Sequence, residues 1–309
     1  MYTMKKVLCA IDLFCGVGGL SLGFLKAGIP ITASYDNWDK ALNIYNANFT
    51  HKAEKLDLSD VGTAIKEIKK HNFNMIIGGP PCQDFSHAGK RKEQDRAELT
   101  RCFTDIVVSL KPKLFVMENV DRIKSSKVWK KAKDIFKKAN YGLTEEVLDA
   151  SYCGSPQIRK RFFCIGILNK EDNLLSPYIE KKISTKRMTV RDYFGDELDI
   201  NYYYRHPRNY NRRAIFSVDE PSPTIRGVNR PVPKGYPGHP NDPVVISEKI
   251  KPLTTFERSR IQTFPTNFKW EGNKTDIEQM VGNAVPVNLA KFVADVIITY
   301  LKEEDKNDR

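Results

Sequence analysis

Strand-like and helix-like segments alternate through the first half of the chain, and this alternation constrains its fold most. Residues 6–14, 31–35, 74–79, 114–120, 146–150 and 162–168 read as short strands, with a further short strand before Asp57. Residues 20–27, 38–49, 61–70, 98–110 and 128–138 carry apolar side chains at helical spacing. Such an alternation predicts an α/β fold: an open, mostly parallel sheet with flanking helices. Ligands of such sheets sit outside the carboxyl ends of the strands. A chain of 309 residues that is 40% hydrophobic can bury a core, which excludes wholesale disorder. The longest apolar runs, 74–79 and 162–168, fall well short of the ~20 residues that a membrane helix needs. The first residues lack a small-residue cleavage site, so the expectation is a cytoplasmic protein with no membrane partner.

The pattern changes after about residue 170. Residues 201–242 show little periodicity and are rich in Pro, Gly, Tyr, Asn and Arg. Order returns at 253–262 and in a final helix over 287–301. We therefore expect one domain from 1–195 and 272–309, and a smaller irregular one over 196–271. The net charge of +12 predicts a polyanionic partner, most simply nucleic acid. Between 205 and 239 seven Lys or Arg residues face two acids. The lysines of 124–138 read as a solvated helix face rather than a second DNA site. Six cysteines show no Cys-x-x-Cys pair and no zinc-like spacing with the five histidines, so no metal is expected.

Four short patterns carry chemistry. Asp12-Leu-Phe14-Cys-Gly16-Val-Gly18-Gly19 follows a strand and opens a helix. It either cradles a nucleotide-like cofactor at the helix N-terminus or makes a tight turn with no ligand. The next strand ends in Asp36-Asn37-Trp38, whose polar groups can bond ribose hydroxyls or cap the following helix. Asp57 is a weaker candidate of the same kind. Gly78-Gly79-Pro80-Pro81-Cys82-Gln83-Asp84-Phe85-Ser86 pins a cysteine just past a strand, where a thiolate can act as nucleophile. Residues 87–97 read as a mobile loop able to close over a substrate. Glu118, in Glu118-Asn119-Val120, puts a carboxylate at the end of a buried strand, to be used or paired. In a strand, Gln157-Ile-Arg159-Lys-Arg161 puts Gln157, Arg159 and Arg161 on one face, where two arginines could bind an anion or pair with Glu118.

The order of these patterns, followed by Leu253-Thr-Thr-Phe-Glu257-Arg258 and Gly282-Asn283-Ala284-Val285-Pro286, resembles the DNA (cytosine-5) methyltransferases of bacterial restriction–modification systems. The resemblance runs from Asp12 to about Val287 and leaves out only residues 196–251, the place of that family's target-recognition region. It implies an S-adenosylmethionine-dependent, Rossmann-like fold and methyl transfer to C5 of a cytosine flipped out of duplex DNA. It implies Cys82 as the nucleophile at C6, Glu118 at the N3 and N4 edge, and Arg161, with Arg159 nearby, at the base carbonyl. The S-adenosylmethionine site it implies comprises Phe14, Gly16, Gly18, Asp36, Asn37, Trp38, Asp57, Pro81, Leu99, Asn283 and Val285. Many relatives carry Glu where this chain has Asn37. For double-stranded DNA the candidates are Gln83, Ser86, Lys90 and Arg91 on the loop after Cys82. Arg212, Arg213, Thr224, Arg226 and Arg230 are those of the basic region. A restriction endonuclease encoded alongside is a further implied partner. Two rivals remain at this point: a relative that modifies transfer RNA, and a non-catalytic DNA-binding protein of the same fold.

Overall fold

The computed structural model describes residues 8–81, 90–209 and 211–307, with 90–97 as backbone alone. The chain forms two compact units. One holds Met1–Leu148, Lys160–Ile183 and Ala290–Arg309; the other holds Asp149–Arg159 and Ser184–Leu289. These divisions lie elsewhere than the boundaries expected at 195/196 and 271/272.

The first unit contains β1 (Ala10–Leu13), α1 (Gly19–Lys26), β2 (Ile31–Asp36), α2 (Asp39–Asn48), β3 (Ala53–Lys55), α3 (Val61–Ile68), β4 (Met75–Gly78), α4 (Lys90–Leu110) and β5 (Leu114–Val120). A 3-10 turn (Asp121–Ser125), α5 (Lys127–Lys138) and β6 (Tyr141–Asp149) follow. The short β7 (Gln157–Ile158) belongs to the second unit, and β8 (Lys160–Leu168) and α6 (Ser176–Lys182) return to the first. Seven strands form one sheet in the order β3-β2-β1-β4-β5-β8-β6. The pairs β2/β3, β1/β2, β1/β4 and β4/β5 are parallel, and β5/β8 is antiparallel. The order reverses between β1 and β4, so the loops after these two strands flank the switch point where such sheets bind ligands.

The core lies between sheet and helices. Trp129, Ala132 and Phe136 make the buried stripe of α5. Phe136 stacks on Phe115 of β5 with centroids 4.3 Å apart, and Trp129 meets Phe162 of β8 edge-on at 4.9 Å. Each such side chain contributes about 1.5–3 kcal/mol by burial. Two elements depart from expectation. Strand β6 starts at Tyr141 rather than 146, because Tyr141 and Leu143 fill the core. Helix α4 starts at Lys90, so 90–97 is helical where a mobile loop was expected. The Lys, Arg, Glu, Gln and Ala of that stretch are good helix formers, and they extend the helix without an apolar period.

The second unit contains α7 (Val190–Phe194), β9 (Tyr202–Tyr204), β10 (Ile215–Ser217), β11 (Ser222–Pro223), α8 (Thr255–Ile261) and α9 (Lys274–Asn283). Its strands form two small pairs, β9 with β10 and β7 with β11. Thr189 and Asp192 form a capping box on α7, and Thr254 and Glu257 form another on α8. The last helix, α10, spans Val287–Asn307. The stretch Lys274–Asn307 is long and apolar enough to cross a membrane, yet 56% of its most apolar window is buried, as in a core helix.

Candidate active site

The loop after β1 is held by the strand beside it. Cys15 N–H donates to Tyr35 C=O at 3.1 Å, and Gly16 N–H donates to Asp36 Oδ2 at 2.8 Å. The other carboxylate oxygen of Asp36 accepts from Trp38 N–H at 2.9 Å. Asp36 thus ties the glycine loop to the corner that opens α2. Burial pushes its pKa up, and the N–H groups of Gly16, Trp38 and Asn37 pull it down. Leu56 N–H donates to Asp36 C=O at 3.0 Å, which brings Asp57 to the same corner. Phe14, Gly16, Gly18, Asp36, Asn37, Trp38 and Asp57 therefore lie together at the carboxyl ends of β1, β2 and β3. Asn37 and Asp57 are exposed, and Asp57 accepts from Ser59 N–H and Oγ–H.

Phe14, Gly16 and Gly18 all have positive φ, at 60°, 53° and 88°. A Cβ on Gly18 would lie 2.5 Å from the Phe49 ring, whereas one on Gly16 would enter open space. The loop is therefore packed from below and open above Gly16. Under it lies a buried polar chain. Ser21 Oγ–H donates to Asp12 Oδ2 at 2.5 Å, Tyr45 O–H donates to Ser21 Oγ at 2.8 Å, and Tyr45 Oη lies 2.6 Å from His51 Nε2. Asp12 is fully buried, its Oδ1 meets no partner, and burial pushes its pKa up to about 7.

The end of β4 meets the end of β5. Gly78 pairs with Met117, which sets Gly79 beside Glu118. A Cβ on Gly79 would be 3.1 Å from Glu118 Oε2, and Asn119 Nδ2 donates to Pro80 C=O at 2.9 Å. Across the antiparallel ladder Glu118 faces Phe163 and Val120 faces Arg161, so Arg161 stands diagonal to Glu118. Arg161 Nε lies 3.0 Å from Glu118 Oε1, with only 16% and 10% of the two side chains exposed. A mostly buried, charge-paired carboxylate thus stands where the chain turns towards Cys82. Pro81 is exposed at that turn and Leu99 is half-buried on α4. Cys82, Gln83 and Ser86 lie outside the described residues, and Lys90 and Arg91 are placed only as backbone of α4.

Arg159 and Arg161 do not share one strand face. Strand β7 ends at Ile158 and pairs with β11, while β8 begins at Lys160 and pairs with β5, so along the chain Arg159 is the residue that separates strands of two different sheets. Its guanidinium is 1% exposed and donates to the carbonyls of Ile225, Gly282 and Ala284 at 2.9, 2.9 and 3.1 Å. Gln157 Nε2 donates to Gln262 Oε1 at 2.8 Å, and Gln157 Oε1 accepts from Ile225 N–H at 2.8 Å. Gln262 Nε2 donates to Val281 C=O at 2.6 Å. Nearby, Arg258 pairs with the buried Glu278, which also accepts from Thr255 Oγ1–H and Asn229 Nδ2. This knot fixes the segment before Asn283, which is exposed, and Val285, which is buried. Sequence reasoning did not single out Gln262, Asn119 or the Asp12–Ser21 pair, although Asn119 and Asp12 lie inside patterns already noted.

The basic region divides as well. Arg205, Arg208, Arg212, Arg226 and Arg230 lie within electrostatic reach of one another or of His206, and burial with its cationic neighbours holds Arg205 down at about 10. Arg212 and Arg230 are exposed. Arg226 donates to His206 C=O. Arg213 pairs with Glu220 and lies 4.3 Å over the Phe216 ring, and Thr224 Oγ1–H donates to Ile158 C=O at 2.7 Å. Arg213 and Thr224 thus hold internal contacts.

Residues 8–299 match the family described as C-5 cytosine-specific DNA methylase. The chain belongs to that family. It is an enzyme, a DNA (cytosine-5) methyltransferase. The type II methyltransferase M.HindV of Haemophilus influenzae is 57% identical over 295 residues, covering 95% of this chain and 97% of the relative. M.HgiDI of Herpetosiphon aurantiacus, another type II methyltransferase, is 53% identical over 294 residues, covering 95% of each. The crystal structure of the S. pombe Dnmt2 methyltransferase shares the fold, with a TM-score of 0.71, 19% identity and coverage of 96% of this chain and 99% of that one.

Proposed function

We propose that this methyltransferase uses S-adenosylmethionine and methylates cytosine through a covalent bond from Cys82 to C6. The observation that carries the reading is the Glu118–Arg161 pair, mostly buried beside the Gly79-Pro80 turn that leads to Cys82. The open face above Gly16, the positive φ of the loop and the Asp36 corner fit a nucleoside-bearing cofactor. S-adenosylmethionine supplies the methyl group that ends on C5.

This chain's residues do the rest. The Cys82 thiolate forms the bond to C6, and the electrons of the C5–C6 double bond move to C5 and the ring. Glu118 holds the N3 and N4 edge and, in its protonated form, gives a proton to N3 as charge builds there. Arg161 orients Glu118 and stabilises charge on the base carbonyl. Loss of the C5 proton to water, return of the N3 proton to Glu118 and departure of Cys82 as thiolate restore the ring. Elsewhere the thiols of Cys15, Cys102, Cys153 and Cys164 are buried, and burial pushes each pKa up, which leaves them poor nucleophiles.

The target base leaves the duplex to reach these groups, at a cost of a few kcal/mol. The second unit's arginine cluster, with Arg212 and Arg230 exposed, is the target-recognition surface. A restriction endonuclease of the same specificity is the companion of this enzyme, which acts on DNA in the bacterial cytoplasm.

The test is transfer of labelled methyl from S-adenosylmethionine to unmethylated duplex DNA, with Cys82→Ser alongside. The wild type labels cytosine C5 and forms a denaturation-resistant adduct with a 5-fluorocytosine duplex; the variant does neither. An active Cys82→Ser enzyme would sink the covalent mechanism. Labelling of transfer RNA in place of DNA would sink the substrate assignment.

A further inference from the structure

Helix α5 carries six lysines and one acid over twelve residues. Trp129, Ala132 and Phe136 are its buried stripe. On the opposite side Lys127, Lys130, Lys131, Asp134 and Lys138 follow one another at i, i+3, i+4, i+7 and i+11, all exposed. The two lysines on the flank towards the sheet have acid partners: Lys133 pairs with Glu145, and Lys137 with Asp172 at 2.7 Å. Among the described residues the four outer lysines have no acid partner.

Five lysines elsewhere in this unit meet acids, whereas others such as Lys66, Lys69, Lys111 and Lys113 stand singly, so what sets α5 apart is four exposed lysines aligned on one helix face. Lys55 pairs with Asp39, Lys70 with Glu67, Lys170 with Glu304, and Lys182 and Lys291 with Asp295. Local energetics do not favour the outer stripe of α5. Lys127 and Lys131 are like charges four residues apart, and no acid stands in the first turn, where the helix dipole favours one.

The stripe has a direction. Trp129 packs on Phe162, opposite Asn119 near the carboxyl end of β5, and Phe136 packs on Phe115 near its start. So α5 begins at the sheet edge that carries Glu118 and Arg161 and runs away from it. From Lys127 to Lys138 the stripe is about 16 Å long. Along one strand of duplex DNA the phosphates are spaced ~3.4 Å along the axis, so about five of them match that length.

We propose that the outer face of α5 is a sequence-independent contact for the phosphate backbone of duplex DNA flanking the target site. It adds affinity and sliding on long DNA without touching the reacting base. The proposal rests on the DNA substrate and not on the Cys82 mechanism.

The test is a full-length variant with Lys127, Lys130, Lys131 and Lys138 each changed to Gln. Binding is measured against salt on two duplexes: one barely longer than the target site and one extended well beyond it. On the long duplex the variant is expected to bind about tenfold more weakly or worse, with the slope of log affinity against log salt reduced by about 2–4. On the short duplex, binding and methylation stay at the wild-type level, and the matching Lys→Arg variant behaves as wild type on both. Should the fourfold Gln variant fold poorly, Lys130→Gln with Lys131→Gln reads the same length dependence at half the size. Equal losses on both duplexes, or none on either, would overturn the proposal. So would a defect seen only with structured RNA as ligand. A wild type whose Cys82→Ser form remains active would count against the covalent mechanism and leave this result standing.

Discussion

Two arginines separated by one residue have opposite surroundings. Arg161, on β8 of the large sheet, pairs with the Glu118 carboxylate and gives one N–H to the Lys160 carbonyl. Arg159 is sealed from water and spends its donors on three main-chain carbonyls of the second unit. A guanidinium facing a single carboxylate still has N–H groups to offer a base. One that saturates carbonyls has become part of the scaffold, and removing it takes that donor from the buried Ile225 and Gly282 carbonyls, while Ala284 C=O keeps Gln262 Nε2. The same motif thus combines a guanidinium paired with a carboxylate and one bound to main chain, so resemblance at the level of residue type does not separate the two.

The contrast can be broken by substitution. Arg159→Met should destabilise the protein by about 3–5 kcal/mol, since it leaves buried carbonyls unpaired. Urea unfolding would show the loss as a lower midpoint, with activity falling in proportion to unfolded protein. Arg161→Ala should leave the midpoint much closer to wild type, while the folded enzyme loses about 10²–10³ in kcat. If Arg161→Ala unfolds as readily as Arg159→Met, the division between the two arginines is wrong.

A second pair of like residues extends the comparison to the glycine loop. Asp36 shares its carboxylate between two N–H groups, whereas Asp12 is fully buried with Ser21 on one oxygen and nothing on the other. Burial raises Asp12 from 3.8 to about 7. The folded state then holds a proton between those values that the unfolded chain releases. Stability contributed by this group is therefore complete below about pH 4 and is lost as pH rises towards 7. About three units correspond to at most roughly 4 kcal/mol. Asp12→Asn removes the titration, so the stability difference between variant and wild type should grow in the variant's favour from pH 4 to 7 and then level off. A constant difference across that range, read from unfolding midpoints, would show that Asp12 is ionised in the folded protein throughout.

The sheet was legible because strands and helices of different period alternate, and because carboxyl-end loops carry glycines. Glu118 was legible as a group in need of a partner: a carboxylate closing an apolar strand is used or paired, and here it pairs with Arg161. Depth was not legible. Spacing by two placed Arg159 and Arg161 on one face, but the chain leaves one sheet for another between them, and alternation within a sequence carries no sign of that exchange. Arg213 and Thr224 read as DNA contacts for the same reason. A basic or hydroxyl side chain in an aperiodic region looks free until Glu220 and the Ile158 carbonyl are found beside it. The polar stretch at 90–97 misled in the opposite sense, since helix propensity alone sufficed to extend α4.

Two glycines give the smallest test of the same division. A Cβ on Gly282 would stand 2.2 Å from Gly227 N and 2.4 Å from Arg226 C, so Gly282→Ala must push main chain apart within the Arg159 knot. We expect a loss of about 1–3 kcal/mol in stability, with little change in the apparent affinity of folded enzyme for S-adenosylmethionine. A Cβ on Gly16 meets nothing, and its φ of 53° is the only strain on Gly16→Ala, which costs about 1 kcal/mol. Its effect should fall instead on KM for S-adenosylmethionine, because the methyl group occupies the space above the loop. Measuring unfolding and KM on both variants gives a crossed pattern if scaffold and site are separate. Parallel losses would mean that the loop and the knot are one cooperative structure.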